Sequence, residues 1–132
     1  MLLTINIDGA SRGNPGPSGI GILIFRNNNL ILNYGEFIGF QTNLLSEYIA
    51  LKRALQFALN IDDEVSIHTD SMTVVQQRKA KDKMRKKELK NLIREINNLE
   101  KKFKTISYRY IPRHKNKYVD AVAKKAIDYH IK

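Results

Sequence analysis

The run Leu2-Leu3-Thr4-Ile5-Asn6-Ile7-Asp8-Gly9-Ala10-Ser11-Arg12-Gly13-Asn14-Pro15-Gly16-Pro17-Ser18-Gly19 decides how the rest of the chain is read. From Leu2 to Asp8, apolar Leu3, Ile5 and Ile7 alternate with Thr4, Asn6 and Asp8, the period of a half-buried strand that closes on a carboxylate. Gly9 to Gly19 is too rich in Gly and Pro for a helix and reads as a loop. It leads into a second apolar run, Ile20 to Phe25, and not into a helix, which excludes a dinucleotide-binding loop. Arg26-Asn27-Asn28-Asn29 reads as a turn and Leu30 to Ile38 as a third strand, so the chain opens as an antiparallel meander.

Outward from this meander the pattern changes to helical spacing. Thr42-Asn43 is a helix-cap signal, and Leu44, Tyr48, Leu51, Leu55 and Leu59 mark one face of a helix ending near Asn60. Glu64 to Thr69 is a fourth strand, after which Asp70 or Ser71 caps a short helix reaching about Gln77. Residues 78–90 hold eight basic and two acidic side chains and read as a basic loop. Leu89, Leu92, Ile93, Ile96, Leu99 and Phe103 form a second helical stripe, and Thr105 to Tyr110 a fifth strand. Pro112 to Asn116 is a loop whose Asn116 can cap a last helix carrying Val119, Val122, Ala123, Ala126 and Ile127. The order β-β-β-α-β-α-α-β-α is that of a layered α/β domain in which strands one, four and five run parallel. No linker or repeat divides it, so residues 1–132 are read as one domain.

Composition narrows the function classes. The 132 residues include no Cys, which excludes disulfide frameworks and thiolate metal sites. No apolar run approaches the ~20 residues of a bilayer span and no basic leader opens the sequence, so a soluble cytoplasmic protein without membrane association is expected. The net charge of +10 is unevenly placed: residues 1–77 carry 4 basic and 7 acidic side chains, residues 78–132 carry 19 and 6. A field of that sign and asymmetry attracts polyanions, nucleic acid first among them.

Four carboxylates sit where elements end. Asp8 closes strand one, Glu47 lies in the first turn of the first long helix, Asp70 closes strand four and Asp120 lies in the first turn of the last helix. Taken singly, each is explained by strand ends, caps and the helix dipole. Glu47 is less ordinary, because it falls between Leu44 and Leu51 at the edge of the buried stripe, where a carboxylate needs a partner. Sites in parallel sheets form outside the carboxyl ends of strands, which is where Asp8 and Asp70 fall. Carboxylates gathered without His or Cys suit Mg²⁺, and two such ions ~4 Å apart can activate water and stabilise the leaving oxygen of a phosphodiester. Without metal the acids repel one another, so the site should be strained or partly protonated.

The motifs resemble those of type 1 ribonuclease H. Asp8-Gly9-Ala10-Ser11-Arg12-Gly13-Asn14-Pro15-Gly16-Pro17-Ser18-Gly19 is similar to the family's first motif and Thr42-Asn43-x-x-x-Glu47-Tyr48-x-Ala50-Leu51 to its second. Thr69-Asp70-Ser71 resembles the third, and Ile111-Pro112-Arg113-x-x-Asn116-x-x-x-Asp120-x-x-Ala123 the last. The resemblance implies a five-stranded mixed sheet in the order 3-2-1-4-5 flanked by helices. It implies an endoribonuclease that hydrolyses the RNA strand of RNA/DNA hybrids with two Mg²⁺, or Mn²⁺, leaving a 5′-phosphate and a 3′-hydroxyl. On that footing Asp8 bridges both ions, Glu47 and Asp70 hold the ion near the attacking water with Glu47 also near the substrate 2′-hydroxyl, and Asp120 holds the other ion.

The same resemblance assigns Gly9, Asn14 and Asn43 to the 2′-hydroxyl-reading groove and Thr42 to a phosphate of the DNA strand. Arg12, Lys86 and Lys87 are candidate contacts to backbone phosphates. The chain departs from larger bacterial relatives in two places. Only the short basic segment from Arg78 to Lys90 replaces their basic handle with its own helix. The loop before Asp120 is also short, leaving His114 and Arg113 as candidates for the role of a mobile His that assists product release. His68 is read as structural and His130 as an exposed, frayed terminus. The competing reading is a non-catalytic nucleic-acid-binding module on the same fold, which would be expected to lack at least one of the four acids. A monomer needing no protein partner is the expected state.

Overall fold

In the computed structural model, residues 2–80 and 87–130 are described. The elements in chain order are β1 (Leu3–Ser11), β2 (Gly16–Arg26), β3 (Asn29–Gln41), α1 (Asn43–Ala58), β4 (Glu64–Thr69), α2 (Met72–Ala80), α3 (Lys87–Glu100), β5 (Thr105–Tyr110), a 3-10 turn (Arg113–Lys115) and α4 (Lys117–His130). One sheet runs β3-β2-β1-β4-β5. The meander β1–β2–β3 is antiparallel, and β4 and β5 join parallel to β1 through helical crossovers. The fold is therefore the five-stranded mixed sheet that the resemblance implied.

Alternation drives β1 as read: Leu3, Ile5 and Ile7 are buried, and they pack with Tyr48, Leu51 and Leu55 of α1 and Ile96 of α3 in one core. Fully burying a side chain of this size stabilises by about 1.5–3 kcal/mol, which places the central strand and α1 at the heart of the fold. α4 covers β2 and β3 from the other side with Val119, Ala123 and Ile127.

The Gly-rich run departs from its reading as a loop. β1 continues to Ser11 and β2 begins at Gly16, pairing Gly9 with Ile20, Ala10 with Gly19 and Ser11 with Ser18. The physical reason is tertiary. A Cβ on Gly9 would lie 2.5 Å from the Ser46 carbonyl carbon of α1, and one on Gly21 would lie 2.4 Å from the Val119 carbonyl oxygen of α4. These glycines are strand residues on which helices press. Gly21→Ala is accordingly expected to push α4 off the sheet and cost about 1–3 kcal/mol, read as a fall in denaturant midpoint. It should impair the function of Asp120 more than the stability loss alone accounts for, since Asp120 directly follows Val119.

Other boundaries shift for similar reasons. Asn27 and Asn28 both take positive φ, 52° and 65°, which makes the β2–β3 connection a tight two-residue hairpin turn. β3 runs on to Gln41, and α1 ends at Ala58. The segment 78–90 is not one basic loop: Arg78 to Ala80 completes α2 and Lys87 opens α3. Residues 81–86 lie outside the described residues. Asn116 precedes α4 but does not cap it with its side chain, which turns inward and donates from Nδ2 to the Ile7 carbonyl at 3.0 Å. His130 is not frayed; its ring stacks on Phe37 of β3 at 3.7 Å between centroids and 8° between planes. Among the described residues no helix is long and apolar enough to cross a membrane.

Candidate active site

β1 and β4 run parallel and in register, with Asn6 beside His68. Asp8 and Asp70 each lie two residues farther on, so they leave the same end of the sheet. The missing Cβ of Gly9 lets α1 come down onto this end, and Glu47 Oε1 there accepts a hydrogen bond from the Gly9 amide at 2.5 Å. That amide, with a further hydrogen bond from the Thr69 hydroxyl, supplies the partner a buried Glu needs. One carboxylate oxygen each from Asp8, Glu47 and Asp70 lie within 4.8 Å of one another. Asp120, brought in by α4, hydrogen-bonds to Asp8 and forms an ion pair with Lys124 at 2.9 Å. All four carboxylates line one open cavity of about 490 Å³.

The electrostatics follow from crowding. Asp8 is pushed well above the usual carboxylate range, first by burial and then by the charge of Glu47, the hydrogen bond to Asp120 and the charge of Asp70. Glu47 is raised mainly by burial, against the pull of its hydrogen bonds from Asp8 and Gly9. Burial likewise raises Asp70, although the Arg113 guanidinium and the Asn116 amide oppose it. Asp120 moves the other way: burial would raise it, but its hydrogen bond with Asp8 and the neighbouring Lys124 outweigh that and hold it low. The opposite directions of Asp8 and Asp120 follow from the hydrogen bond they share and from the crowding of the four acids. Carboxylate oxygens alone, converging on an open cavity, are the donor set of a hard divalent cation, so the residues fit Mg²⁺ or Mn²⁺.

The remaining candidates divide. Gly9, Asn43 and Arg113 line the cavity with the acids. Asn14 and Thr42 border it: Asn14 Oδ1 accepts from the Asn43 amide at 3.0 Å, and Thr42 caps α1 by accepting from the Leu45 amide at 3.2 Å. Arg12 is engaged with Asp128 at 2.9 Å in a half-exposed ion pair. His114 is exposed in the 3-10 turn and is not part of the cavity wall. The backbone of Lys87 starts α3, and Lys86 lies outside the described residues. Lys124, Ser71 and Thr73 also line the cavity and were missed by sequence reasoning. For Lys124 the signal was present in its position four residues after Asp120, one helical turn along the same face.

Comparison with known proteins places these features. A family profile described as reverse transcriptase-like matches residues 6–126. A bifunctional protein of Mycobacterium tuberculosis is 33% identical over 131 residues, which are 97% of this chain and 36% of that protein. The chain thus spans about a third of the length of that mycobacterial relative. The crystal structure of RNase H1 from the halophilic archaeon Halobacterium salinarum superposes with a TM-score of 0.92 at 30% identity, covering 98% of this chain and 99% of that one. The structure of LC11-RNase H1 in complex with an RNA/DNA hybrid does so with a TM-score of 0.92 at 32% identity, covering 98% and 99%. Sheet order and similarity along nearly the whole of this chain agree, and the chain belongs to the type 1 ribonuclease H family.

Proposed function

We propose that this chain is a metal-dependent endoribonuclease that hydrolyses the RNA strand of RNA/DNA hybrids and leaves a 5′-phosphate and a 3′-hydroxyl. The observation that carries the reading is the convergence of Asp8, Glu47 and Asp70 oxygens within 4.8 Å, with Asp120 hydrogen-bonded alongside. A similar protein whose structure was solved in complex with an RNA/DNA hybrid supports the choice of substrate. Asp8, Glu47, Asp70 and Asp120 would hold two Mg²⁺ ions, which when bound supply an activated water and stabilise charge on the phosphate. Asp8, central in the cluster, touches both halves of the site, while Glu47 faces the rim formed by Gly9 and Asn43. The side-chain amides of Asn14 and Asn43, with Gly9 beside them, suit a 2′-hydroxyl, the group by which RNA differs from DNA. Thr42 and Arg12 would contact backbone phosphates of the duplex in this reading, and Arg113, which lines the cavity, would provide a positive charge near the reacting phosphate. His114, exposed one residue later, is assigned the subsidiary role of assisting product departure. All four acids come from elements between β1 and α4, so residues 1–132 act in this proposal as one catalytic domain.

The test is incubation with an end-labelled RNA/DNA hybrid and Mg²⁺, beside duplex DNA of the same sequence. Cleavage of the RNA strand alone supports the proposal, and an intact hybrid refutes it. The basic segment gives a separate expectation. Lys86→Gln with Lys87→Gln should weaken hybrid binding and reduce the slope of log affinity against log salt by about 1–2, the amount due to two lost phosphate contacts. An unchanged slope in fluorescence anisotropy would show that these lysines serve solubility alone.

A further inference from the structure

Three serine hydroxyls meet below the rim of the cavity. Ser11 Oγ lies 2.6 Å from Ser18 Oγ and 3.1 Å from Ser46 Oγ. Ser46 donates to the Thr42 carbonyl at 2.8 Å. Ser18 donates to the Gly16 carbonyl at 2.8 Å, with the Gln41 carbonyl at 3.2 Å as an alternative acceptor. Ser18 and Ser46 are both 0% exposed. A hydroxyl carries a single proton, so with Ser46 bonded to the Thr42 carbonyl the three serines are linked when Ser18 donates to Ser11 and Ser11 donates to Ser46, whereas with Ser18 turned to a backbone carbonyl Ser11 donates to one serine at a time. The cluster thereby ties β1, β2 and the first turn of α1 together through shared hydroxyl protons, with the Gly16 and Gln41 carbonyls as alternative acceptors for Ser18.

Its location is not explained by the core. Hydroxyls at fully buried positions cost stability unless every one is satisfied, and a small apolar residue would fill the same space. What the cluster joins are the segments that carry the proposed substrate contacts. Ser46 precedes Glu47 and holds the carbonyl of Thr42, while Ser18 holds Gly16 at the exit of the loop that contains Asn14. Asn14 in turn binds the Asn43 amide at 3.0 Å. The loop and the start of α1 are thus clamped at two points, once on the surface and once beneath it. The Asp8–Glu47 pair has its own tie through the Gly9 amide and does not depend on the serines.

We infer that Ser11, Ser18 and Ser46 are positioning residues that fix the Asn14 loop against the Thr42–Asn43 rim, and so set affinity for the hybrid and not the rate of the chemical step. This inference rests on the hybrid-cleaving reading of the site. Breaking the clamp leaves the rim free to spread, and orientation of bound groups is sensitive to displacements near 1 Å.

The experiment is steady-state kinetics and hybrid-binding anisotropy, the latter in Ca²⁺ without turnover, on Ser18→Ala, Ser46→Ala and the double variant. Melting temperatures are measured in parallel. The double variant is expected to raise KM and the hybrid Kd about tenfold, with kcat within about twofold of wild type at a temperature where both proteins are folded. Amide exchange should quicken in residues 12–14 and 42–46. Unchanged KM and Kd in the folded double variant, or a loss confined to kcat, would overturn the inference. Wild-type protein that binds the hybrid without cutting it would refute the catalytic reading, yet the Kd comparison would still decide this one.

Discussion

Asp8→Asn is expected to abolish hybrid cleavage, with a fall of about 10³-fold or more, and to make the metal-free protein more stable. The first effect follows from removing the carboxylate central to all the others, since a bound metal contributes several kcal/mol of charge stabilisation in phosphodiester chemistry. The second follows from crowding. Burial, Glu47, Asp120 and Asp70 hold the folded pKa of Asp8 above its unfolded value, so the folded state binds an extra proton over that interval. The contribution of this group to stability is therefore complete below the ordinary carboxylate range and is lost as pH rises toward the folded value. At neutral pH an Asn of the same shape avoids that loss. A gain of about 1–3 kcal/mol is expected, or several degrees in Tm, with a flatter dependence of Tm on pH above about 5. Mg²⁺ should raise the Tm of the wild type and leave the variant nearly unmoved. Equal cleavage, or a variant less stable than wild type across this range, would contradict the assignment.

The second large effect is structural. Arg78, 3% exposed, donates from Nη2 to Glu100 at 2.5 Å and to Asn97 at 2.6 Å, and from Nε to Glu100 at 3.2 Å. The Tyr108 hydroxyl also donates to Glu100, so α2, α3 and β5 meet at one buried carboxylate. Arg78→Met removes the cation and leaves that charge inside the protein, which typically costs about 3–5 kcal/mol. A fall of about 10–20 °C in Tm is expected. Arg78→Met combined with Glu100→Leu should recover much of the loss, because a buried ion pair and an apolar pair of similar volume are nearly equivalent. Denaturant unfolding of the two single variants and the double variant checks this: additive losses would mean that the pair is not coupled.

Arg78 also shows where sequence reading ends. It sits among eight basic residues in thirteen, and nothing local distinguishes it from the lysines around it. Its partner Glu100 lies 22 positions away. By contrast β4 was legible to the residue, because Val65 and Ile67 alternate with polar neighbours between two turn signals. The order of elements and the four acids could be read in the same way, from period and punctuation. What could not be read is the part that depends on approach. Glycines at 9 and 19 look like loop residues in isolation and are strand residues because backbone from another part of the chain occupies the place of a side chain. Asn116 looks like a cap and is used as a core amide for the same kind of reason, the proximity of the Ile7 carbonyl.

That last hydrogen bond spans 109 positions in sequence, and α4 packs against strands formed from the first third of the chain. Contacts of such separation carry a large loop-closure cost and are made late. On a ribosome the sheet's meander and α1 emerge long before the segment that bears Asp120. Asp8, Glu47 and Asp70 belong to the part of the chain made first, and the fourth acid waits for α4 to close across the sheet. A chain interrupted before α4 would keep the central strands yet lack both Asp120 and the Asn116 tie to β1.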